Sequence, residues 1–277
     1  MTELYWHEQA ALPWLALLQV WPLLGAVLVY RLRDQALGVP VGRLFVAVEL
    51  LLAFVLYRGL SAGSAALQYA EWLNLPGPLD YHAGADGVTV LFVLLSALLV
   101  LLLSLYSLVR ELAEPGRLLA VLLALEGVLM AQLVTLNLFW FVVASAVEVG
   151  LLGYVLWLWA TSPDKDQMLA RFYQFQGAGL LFMLAGTLII GWNHADATGQ
   201  WSFDLLDLAG VPVAATVAPV VFFLLFYGLG VRTPIFPLHG WLPVVAQHGN
   251  IAIAPAFLLG IKVGIYGIFR VCVAGLG

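Results

Sequence analysis

The sequence predicts an all-α membrane protein of about eight transmembrane helices, with the seventh helix broken. Of its 277 residues, 63% are hydrophobic and 10% are charged, and the mean hydropathy is +1.01. Soluble domains carry about 25% charged residues, so this composition leaves little or no room for an aqueous domain. Two further observations support the fold class: the hydrophobic residues fall into runs of spanning length, and two prolines interrupt the seventh run.

The apolar runs define the expected helices. A helix needs about 20 residues to cross the hydrocarbon core of a bilayer. Runs of this kind lie at about residues 12–30, 42–60, 87–109, 117–136, 138–160, 168–191, 217–246 and 251–274. The fourth and fifth runs are nearly continuous, and we divide them at Thr135 to Asn137 because one helix of that length would overshoot a bilayer. Residues 192–212 are expected to form a short amphipathic or hairpin-like cap.

The seventh run contains the strongest signals for a break. Pro234 and Pro237 follow Arg232, while Gly228 and Gly230 precede it. Proline removes a backbone donor and clashes with the preceding turn, so this helix should break near half-depth. Broken backbone at that depth is tolerated only inside protein or beside water. The break therefore marks the expected working part of the chain.

Five ionisable residues lie well inside the predicted spans: Glu49, Glu126, Glu148, Arg232 and Lys262. A charge at the centre of a bilayer helix costs about 2.5 to 3.5 kcal/mol, so such residues usually pair with one another or line water. Three acids and two bases leave one carboxylate without a cation, and we expect that acid to be protonated or hydrated. We expect Glu148, Arg232 and Lys262 to converge in one polar line at half-depth.

The positions of Lys and Arg predict the orientation. Cations concentrate in the first, third and fifth connections between runs: Arg31, Arg33, Arg43, Arg110, Arg117, Lys165 and Arg171. By the positive-inside rule these connections face the cytoplasm, and both termini lie on the other side. The first ten residues carry acids but no Lys or Arg, which does not fit a cleavable signal peptide.

Two segments carry a resemblance to a known family. VRTPIFPLHGWLP, which begins at Val231, followed by LLGIKVGIYGIFR, which begins at Leu258, resembles the broken seventh helix and the eighth helix of the antiporter-like membrane subunits. That family includes the proton-pumping chains of respiratory complex I, of membrane-bound hydrogenases and of multisubunit sodium/proton antiporters. The match is closest to the chain lettered M in complex I. It implies the fold of the N-terminal half of such a subunit, with helices 1–3 in residues 1–116 and a five-helix repeat in residues 117–277.

The resemblance also implies roles for individual residues. Glu148 matches the fifth-helix glutamate of the family, which pairs with a seventh-helix lysine and pushes a proton toward a lysine on helix eight. Lys262 matches that last lysine, with Tyr266 one turn later on the same face. His239 matches a histidine that would bridge the broken helix to helix eight. Asp86 lies at the entrance of the third helix and should cap it.

This sequence departs from the family pattern at three places. Arg232 stands where the family has lysine, and a guanidinium stays charged under any plausible protein condition, so Arg232 can hold Glu148 but should not pass a proton. Val244 replaces the usual aspartate, and AQHGNIAIAP lacks the usual Pro-Thr. Family members have about fourteen helices, which include two inverted five-helix repeats at helices four to eight and nine to thirteen, each giving half a channel. This sequence is expected to hold helices 1–3 and the first repeat alone.

The leading hypothesis is a proton-conducting, energy-coupling membrane subunit of a multisubunit complex, with a proton path through Glu148, Lys262, Arg232, Glu126, His239 and Glu49. One alternative is the membrane subunit of a complex that accumulates inorganic carbon with a carbonic-anhydrase-like partner. The other is a non-conducting scaffold. The single cysteine, Cys272, excludes an internal disulfide and a cysteine-based metal site, and we expect no cofactor and no catalytic chemistry in this chain.

The expected surroundings follow from the same hypothesis. The chain should lie in the inner membrane of a bacterium, with lipid and other membrane subunits as neighbours. Those subunits would supply the second half-channel, and a soluble redox or carbonic-anhydrase-like subunit would carry out any chemistry. No feature points to nucleic acid.

Overall fold

The computed structural model describes residues 3–61, 66–109, 112–249 and 254–273, and it consists of helices with one small sheet. The helices are α1 (Trp6–Gln9), α2 (Trp14–Arg31), α3 (Gly38–Gly59), α4 (Gly87–Val109), α5 (Pro115–Val134), α6 (Leu138–Trp159), α7 (Lys165–Thr198), α8 (Leu205–Ala209), α9 (Ala218–Arg232), α10 (Leu242–His248) and α11 (Ala254–Gly267), followed by a π-helical segment (Ile268–Val273). The strands are β1 (Glu3–Tyr5), β2 (Leu67–Leu73) and β3 (Tyr81–Ala85). Arg110 and residues 250–253 of the AQHGNIAIAP segment lie outside the described residues.

The predicted spans agree with the observed helices. Among the described residues, six helices are long and apolar enough to cross a membrane by length and composition, and these are α2 to α7. The seventh run is broken as predicted: α9 ends at Arg232, α10 begins at Leu242, and turns connect them. The protein is therefore a multi-pass membrane protein. The division of the fourth and fifth runs is also confirmed, because α5 ends at Val134 and α6 begins at Leu138.

Helix α5 lies at the centre of the bundle. It contacts α2, α3, α4, α6 and α11, and most of its residues are buried. A helix that is apolar on all sides can bury its whole circumference without leaving polar groups unsatisfied. Two polar residues of α5, Glu126 and Gln132, lie in the interior, whereas Arg117 in its first turn is partly exposed.

One end of the bundle, here called the sheet end, carries the three-stranded sheet. β1 pairs in parallel with β2, and β2 pairs antiparallel with β3, so the strand order is β1-β2-β3. The all-α expectation missed this sheet. The backbone of the α5–α6 connection binds to the same end, since Leu136 N donates to His82 O at 2.8 Å and Leu205 N donates to Leu136 O at 2.8 Å. These bonds satisfy the polar groups that the break between α5 and α6 exposes.

The predicted cap at residues 192–212 differs from the structure. Helix α7 runs for 34 residues and extends to Thr198, beyond the expected end at residue 191. It ends at Gly199, whose φ of +79° lies in the left-handed region that glycine adopts without strain. The short helix α8 follows, with the side chain of Asp204 accepting a hydrogen bond from Leu206 N at 2.9 Å. The cap is therefore a helix extension and one short turn of helix.

His82 ties the sheet to the neighbouring loops. Its Nδ1 lies 2.6 Å from Asp204 Oδ2, and its Nε2 lies 2.7 Å from Glu3 Oε1. Burial lowers the pKa of His82, but the hydrogen bond and charge of Asp204, together with Glu3, outweigh burial and raise the pKa above its ordinary value. The ring of His82 thus joins β1, β3 and the segment before α8.

Candidate functional site

The break after α9 is stabilised by hydrogen bonds from the surrounding chain. Ile235 N donates to Gly230 O at 3.0 Å, and the indole of Trp241 donates to Val231 O at 2.8 Å. These bonds satisfy carbonyl groups that the missing helical turn leaves free. Trp241 is almost fully buried, so the broken backbone lies inside protein, as expected for non-helical backbone at membrane depth.

Glu148 and Arg232 form a buried ion pair at this break. The pair joins Arg232 Nη2 to Glu148 Oε2, and the two side chains are 4% and 1% exposed, respectively. Gln132 lies between them: its Nε2 donates to Glu148 Oε2 at 2.8 Å, and its Oε1 accepts from Arg232 Nη2 at 3.2 Å. Ser145 Oγ also lies 3.2 Å from Gln132 Oε1. The cluster therefore joins α5, α6 and α9, and its hydrogen bonds offset part of the cost of burying two charges.

The guanidinium of Arg232 retains unused donors. Its Nε and Nη1 are buried and have no hydrogen-bond partner among the described groups. Arg232, Glu148, Gln176 and Gly260 line a cavity of about 10 Å³, which is room for about one water molecule. A bound water here would have polar partners on at least two sides, so the ion pair has space for hydration.

Lys262 is turned away from this ion pair. A Cβ at Gly260 would lie 2.5 Å from Glu148 Oε1, and a Cβ at Gly264 would lie 3.1 Å from Arg232 Cβ, so α11 presents its glycines to the pair. Lys262 lies on another face of α11, where its Nζ donates to Ser96 Oγ of α4 at 3.3 Å. The expected single polar line is thus divided between two faces of one helix. The ion pairs formed by the described residues do not include Lys262.

Glu49 and Glu126 form a second buried acidic site, on α3 and α5. Both residues are 0% exposed, and they lie close enough for their charges to interact. All four of their carboxylate oxygens lack a hydrogen-bond partner among the described groups. Two such carboxylates in an apolar interior carry at most one charge between them. The expected acid without a cation is therefore a pair of acids.

His239 lies in the turns between α9 and α10. Its ring packs beside Phe236 at 5.7 Å between ring centroids, and its buried Nδ1 has no partner among the described groups. Within the described part of the chain, no hydrogen bond joins this side chain to α11, so the expected bridge to the eighth helix is not observed there. Its backbone carbonyl accepts from Leu242 N at 2.9 Å and leads the chain into α10.

Sequence reasoning missed the uncharged polar residues of the site. Gln132 connects both members of the ion pair, Ser96 holds Lys262, and Gln176 lines the cavity. A signal was present, because an amide in an otherwise apolar span is costly unless it is hydrogen-bonded. An inventory of uncharged polar residues in the apolar runs would have included all three.

Comparisons with known proteins identify the family and the fold. Residues 138–275 match the family described as the NADH:quinone oxidoreductase/Mrp antiporter transmembrane family. The chain belongs to this antiporter-like family. The matched residues include Glu148, Arg232, His239 and Lys262, whereas Glu49 and Glu126 precede them.

Similar proteins extend the likeness over nearly the whole chain. F(420)H(2) dehydrogenase subunit M of Methanosarcina mazei is 25% identical over 94% of this chain and 53% of its own length. A chain of respiratory complex I from Thermus thermophilus is 27% identical with a TM-score of 0.80, over 95% of this chain and 53% of its own. A chain of the Mrp complex from Dietzia sp. has a TM-score of 0.79 over 95% of this chain and 49% of its own, and at 20% identity it shows the fold alone. The antiporter-like chain spans about half the length of the curated relatives it matches.

Proposed function

We propose that this antiporter-like chain is a proton-conducting, energy-coupling membrane subunit of a multisubunit complex. The observation that carries the proposal is the buried cluster of Glu148, Gln132 and Arg232 at the broken helix. Buried ionisable groups in a membrane are costly and commonly mark ion pathways. Family membership supports the same conclusion, because the matched region contains this ion pair and Lys262.

The charged groups on the two faces of α11 have different roles in this proposal. Arg232 stays protonated, so it holds the negative charge of Glu148 without exchanging protons. Lys262 has a neutral hydroxyl as its partner, and an ammonium group can release its proton when its surroundings disfavour charge. Movement of the broken helix that separates Arg232 from Glu148 would leave a bare carboxylate beside α11 and favour the charged form of Lys262. Restoring the ion pair would favour proton release.

The path and its partners belong to the same proposal. Residues 117–277 would form one half-channel, and residues 1–116 would support it. Other membrane subunits would supply the second half-channel, and a soluble redox subunit would drive the complex. We place the complex in the inner membrane of a bacterium, with both termini of this chain on the non-cytoplasmic side. The inorganic-carbon alternative gains no support from the relatives described above.

Substituting Lys262 tests the proposal directly. The complex that co-purifies with this chain is reconstituted in vesicles containing a pH-sensitive dye, and proton flux is measured per assembled complex. Lys262→Ala should lower the flux through this chain by about 100-fold or more, since a positioned proton-transfer group contributes roughly 10²- to 10⁴-fold. Lys165→Ala is the matched control, because the same change is made at the start of α7. Unchanged flux in Lys262→Ala, with assembly intact, would favour the scaffold alternative.

A further inference from the structure

The contact between α4 and α11 is polar at three successive levels. It consists of three pairs, each with one residue from α11 or its π-helical extension and one from α4 or its N-cap: Lys262 with Ser96, Tyr266 with Thr89, and Arg270 with Asp86. Their polar atoms lie 3.3, 3.0 and 2.5 Å apart, respectively. We call these three pairs the polar seam. Lys262 and Tyr266 are four residues apart in α11 and therefore share one face, and Arg270 continues the four-residue spacing into the π-helical segment.

The seam runs from the membrane interior to the sheet end. Thr89, Ser96 and Tyr266 are each 3% exposed or less, whereas Asp86 immediately precedes the first residue of α4. The side chain of Asp86 accepts a hydrogen bond from Thr89 N at 2.8 Å, which confirms its predicted capping role. The seam thus connects the half-depth lysine to the membrane-flanking region in about two turns of helix, or roughly 12 Å at 1.5 Å per residue.

The hydroxyl of Tyr266 lies at the middle level of the seam and makes two hydrogen bonds. It donates to the backbone carbonyl of Leu133 at 2.7 Å. A phenol has one proton to donate, so Thr89 Oγ1 must act as the donor in its contact with Tyr266. The phenol is therefore held in place by α4 and α5 together, and a rotation of its O–H away from Leu133 would let it hand a proton to a new acceptor.

A cavity lies beside the seam on its sheet-end side. Thr135, Asn137, Tyr266 and Arg270 are among the residues that line it, and its volume is about 10 Å³, which is room for about one water molecule. Burial raises the pKa of Asp86, but the hydrogen bond from Thr89 N and the charge of Arg270 outweigh burial and lower the pKa below its ordinary value. Asp86 therefore remains anionic at neutral pH and places a negative charge where the seam ends.

An aromatic contact between Phe92 and Tyr266 lies beside the interval between the first two levels of the seam. Phe92 lies one turn from Thr89 and one turn from Ser96 on α4, and its ring packs on Tyr266 at 5.4 Å between ring centroids. Lys262 and Tyr266 are separated by about 6 Å along α11. A proton needs a water molecule to cross that interval, and Phe92 places an apolar ring beside Tyr266 there. Among the described residues, no hydrogen bond joins the Lys262–Ser96 pair to the Tyr266–Thr89 pair, so the seam is discontinuous at this point.

We infer that the polar seam is a proton route between Lys262 and the sheet end of the bundle, gated by Phe92. The inference rests on the proposed function, since the seam carries protons only if Lys262 exchanges them. In the open form, Lys262 releases its proton to a water molecule, the Tyr266 hydroxyl accepts that proton as it releases its own, and a second water beside Arg270 and Asp86 takes it to the surface. The reverse flow uses the same bonds, and no group is oxidised or reduced.

The test compares proton flux in vesicles for variants of the complete complex. The measured quantity is the flux abolished by Lys262→Ala, per assembled complex. Thr89→Val and Tyr266→Phe should each lower this flux by about tenfold or more. The expected loss stays below the upper limit of roughly 10⁴-fold for a positioned proton-transfer group. Thr89→Ser keeps the hydroxyl and should retain the flux, and Phe92→Ala should raise the passive flux measured without a driving reaction.

Two matched controls separate the proton route from packing. Thr187→Val makes the same change at a buried threonine of α7, and Tyr154→Phe removes a phenol from α6. Both should retain parental flux. If Thr89→Val, Tyr266→Phe and Phe92→Ala all behave like the parent while Lys262→Ala abolishes flux, the seam is a packing contact and the proposed function stands. If Lys262→Ala itself retains flux, the proposed function and the seam both fail.

Discussion

Glu148 and Glu126 lie on neighbouring helices of one core and are almost equally buried, yet their surroundings differ in charge. Glu148 pairs with Arg232 and receives a hydrogen bond from Gln132. Glu126 lies near another acid, Glu49, and its oxygens have no partner among the described groups. Burial alone therefore does not decide what a carboxylate does in this bundle. The neighbouring group decides whether the charge is kept or must be neutralised by a proton.

We propose that the two sites have different roles. The Glu148 site holds a contact ion pair that movement of the broken helix would separate. The Glu126 site places two acids together in apolar surroundings, which disfavours two charges at that site. The first site suits switching between two electrostatic states, and the second suits retention of a proton. Substitutions that change charge without changing size should separate these roles.

The largest effect is expected from removing the cation of the ion pair. Arg232→Leu leaves Glu148 buried without a counter-charge, which should lower stability by about 3–5 kcal/mol. The double variant Arg232→Leu with Glu148→Leu removes both charges and should recover most of that loss. Thermal unfolding in detergent, followed by the loss of monodisperse protein, measures both variants. A double variant no more stable than the single one would contradict the assignment of a buried, mutually compensating pair.

At the second acidic site, a substitution that removes the charge should change stability much less than it does at the ion pair. Glu126→Gln replaces an acid that has no counter-charge with a neutral amide that can hydrogen-bond to Glu49. Stability should therefore either rise or fall by no more than the net value of one hydrogen bond, roughly 1 kcal/mol. Glu148→Gln is the matched control, since the same change leaves Arg232 buried without its carboxylate and should be clearly destabilising. Equal losses in the two variants, measured in the same melts, would mean that an unseen partner compensates Glu126.

The sequence predicts the parts of this arrangement that depend on local chemistry. Hydrophobic length predicts the spans α2 to α7, and Pro234 and Pro237 predict the end of α9, because both effects act within a few residues. Glu148 and Arg232 were identified because charges in apolar runs must be compensated. That they would meet was implied by the family resemblance and by the need for a counter-charge.

The missed features depend on contacts between distant residues. The strand β2, LQYAEWL, has a mixed pattern, and it becomes a strand by pairing with β1 and β3. Lys262 and Gly260 are two residues apart and therefore point about 200° away from each other around a helix. The sequence thus indicates that they occupy different faces, but only the packing of α4 and α6 shows that Lys262 meets Ser96 while Gly260 meets Glu148.

The smallest predicted effect concerns another buried acid, Glu71, whose carboxylate is bonded by backbone N–H groups rather than by a cation. Its carboxylate caps α2 by accepting hydrogen bonds from Leu15 N and Ala16 N at 2.8 and 2.9 Å. Burial raises the pKa of Glu71 from 4.5 to about 7, and the two backbone hydrogen bonds oppose that rise without cancelling it. The two backbone donors therefore compensate the burial of this carboxylate only in part.

The raised pKa of Glu71 predicts how stability depends on pH at the sheet end. Between pH 4.5 and about 7 the folded state binds more protons than the unfolded state at this residue, so stability should fall as pH rises through that interval. Glu71→Gln cannot titrate and should flatten the slope, which thermal melts at a series of pH values would measure. The raised pKa of His82 also makes stability fall as pH rises, but only above the ordinary histidine pKa of 6.5. The slope in the lower part of the interval therefore reports on Glu71. An unchanged slope there in Glu71→Gln would mean that solvent or the cap neutralises the effect of burial, and that a neutral capping bond serves α2 as well as a charged one.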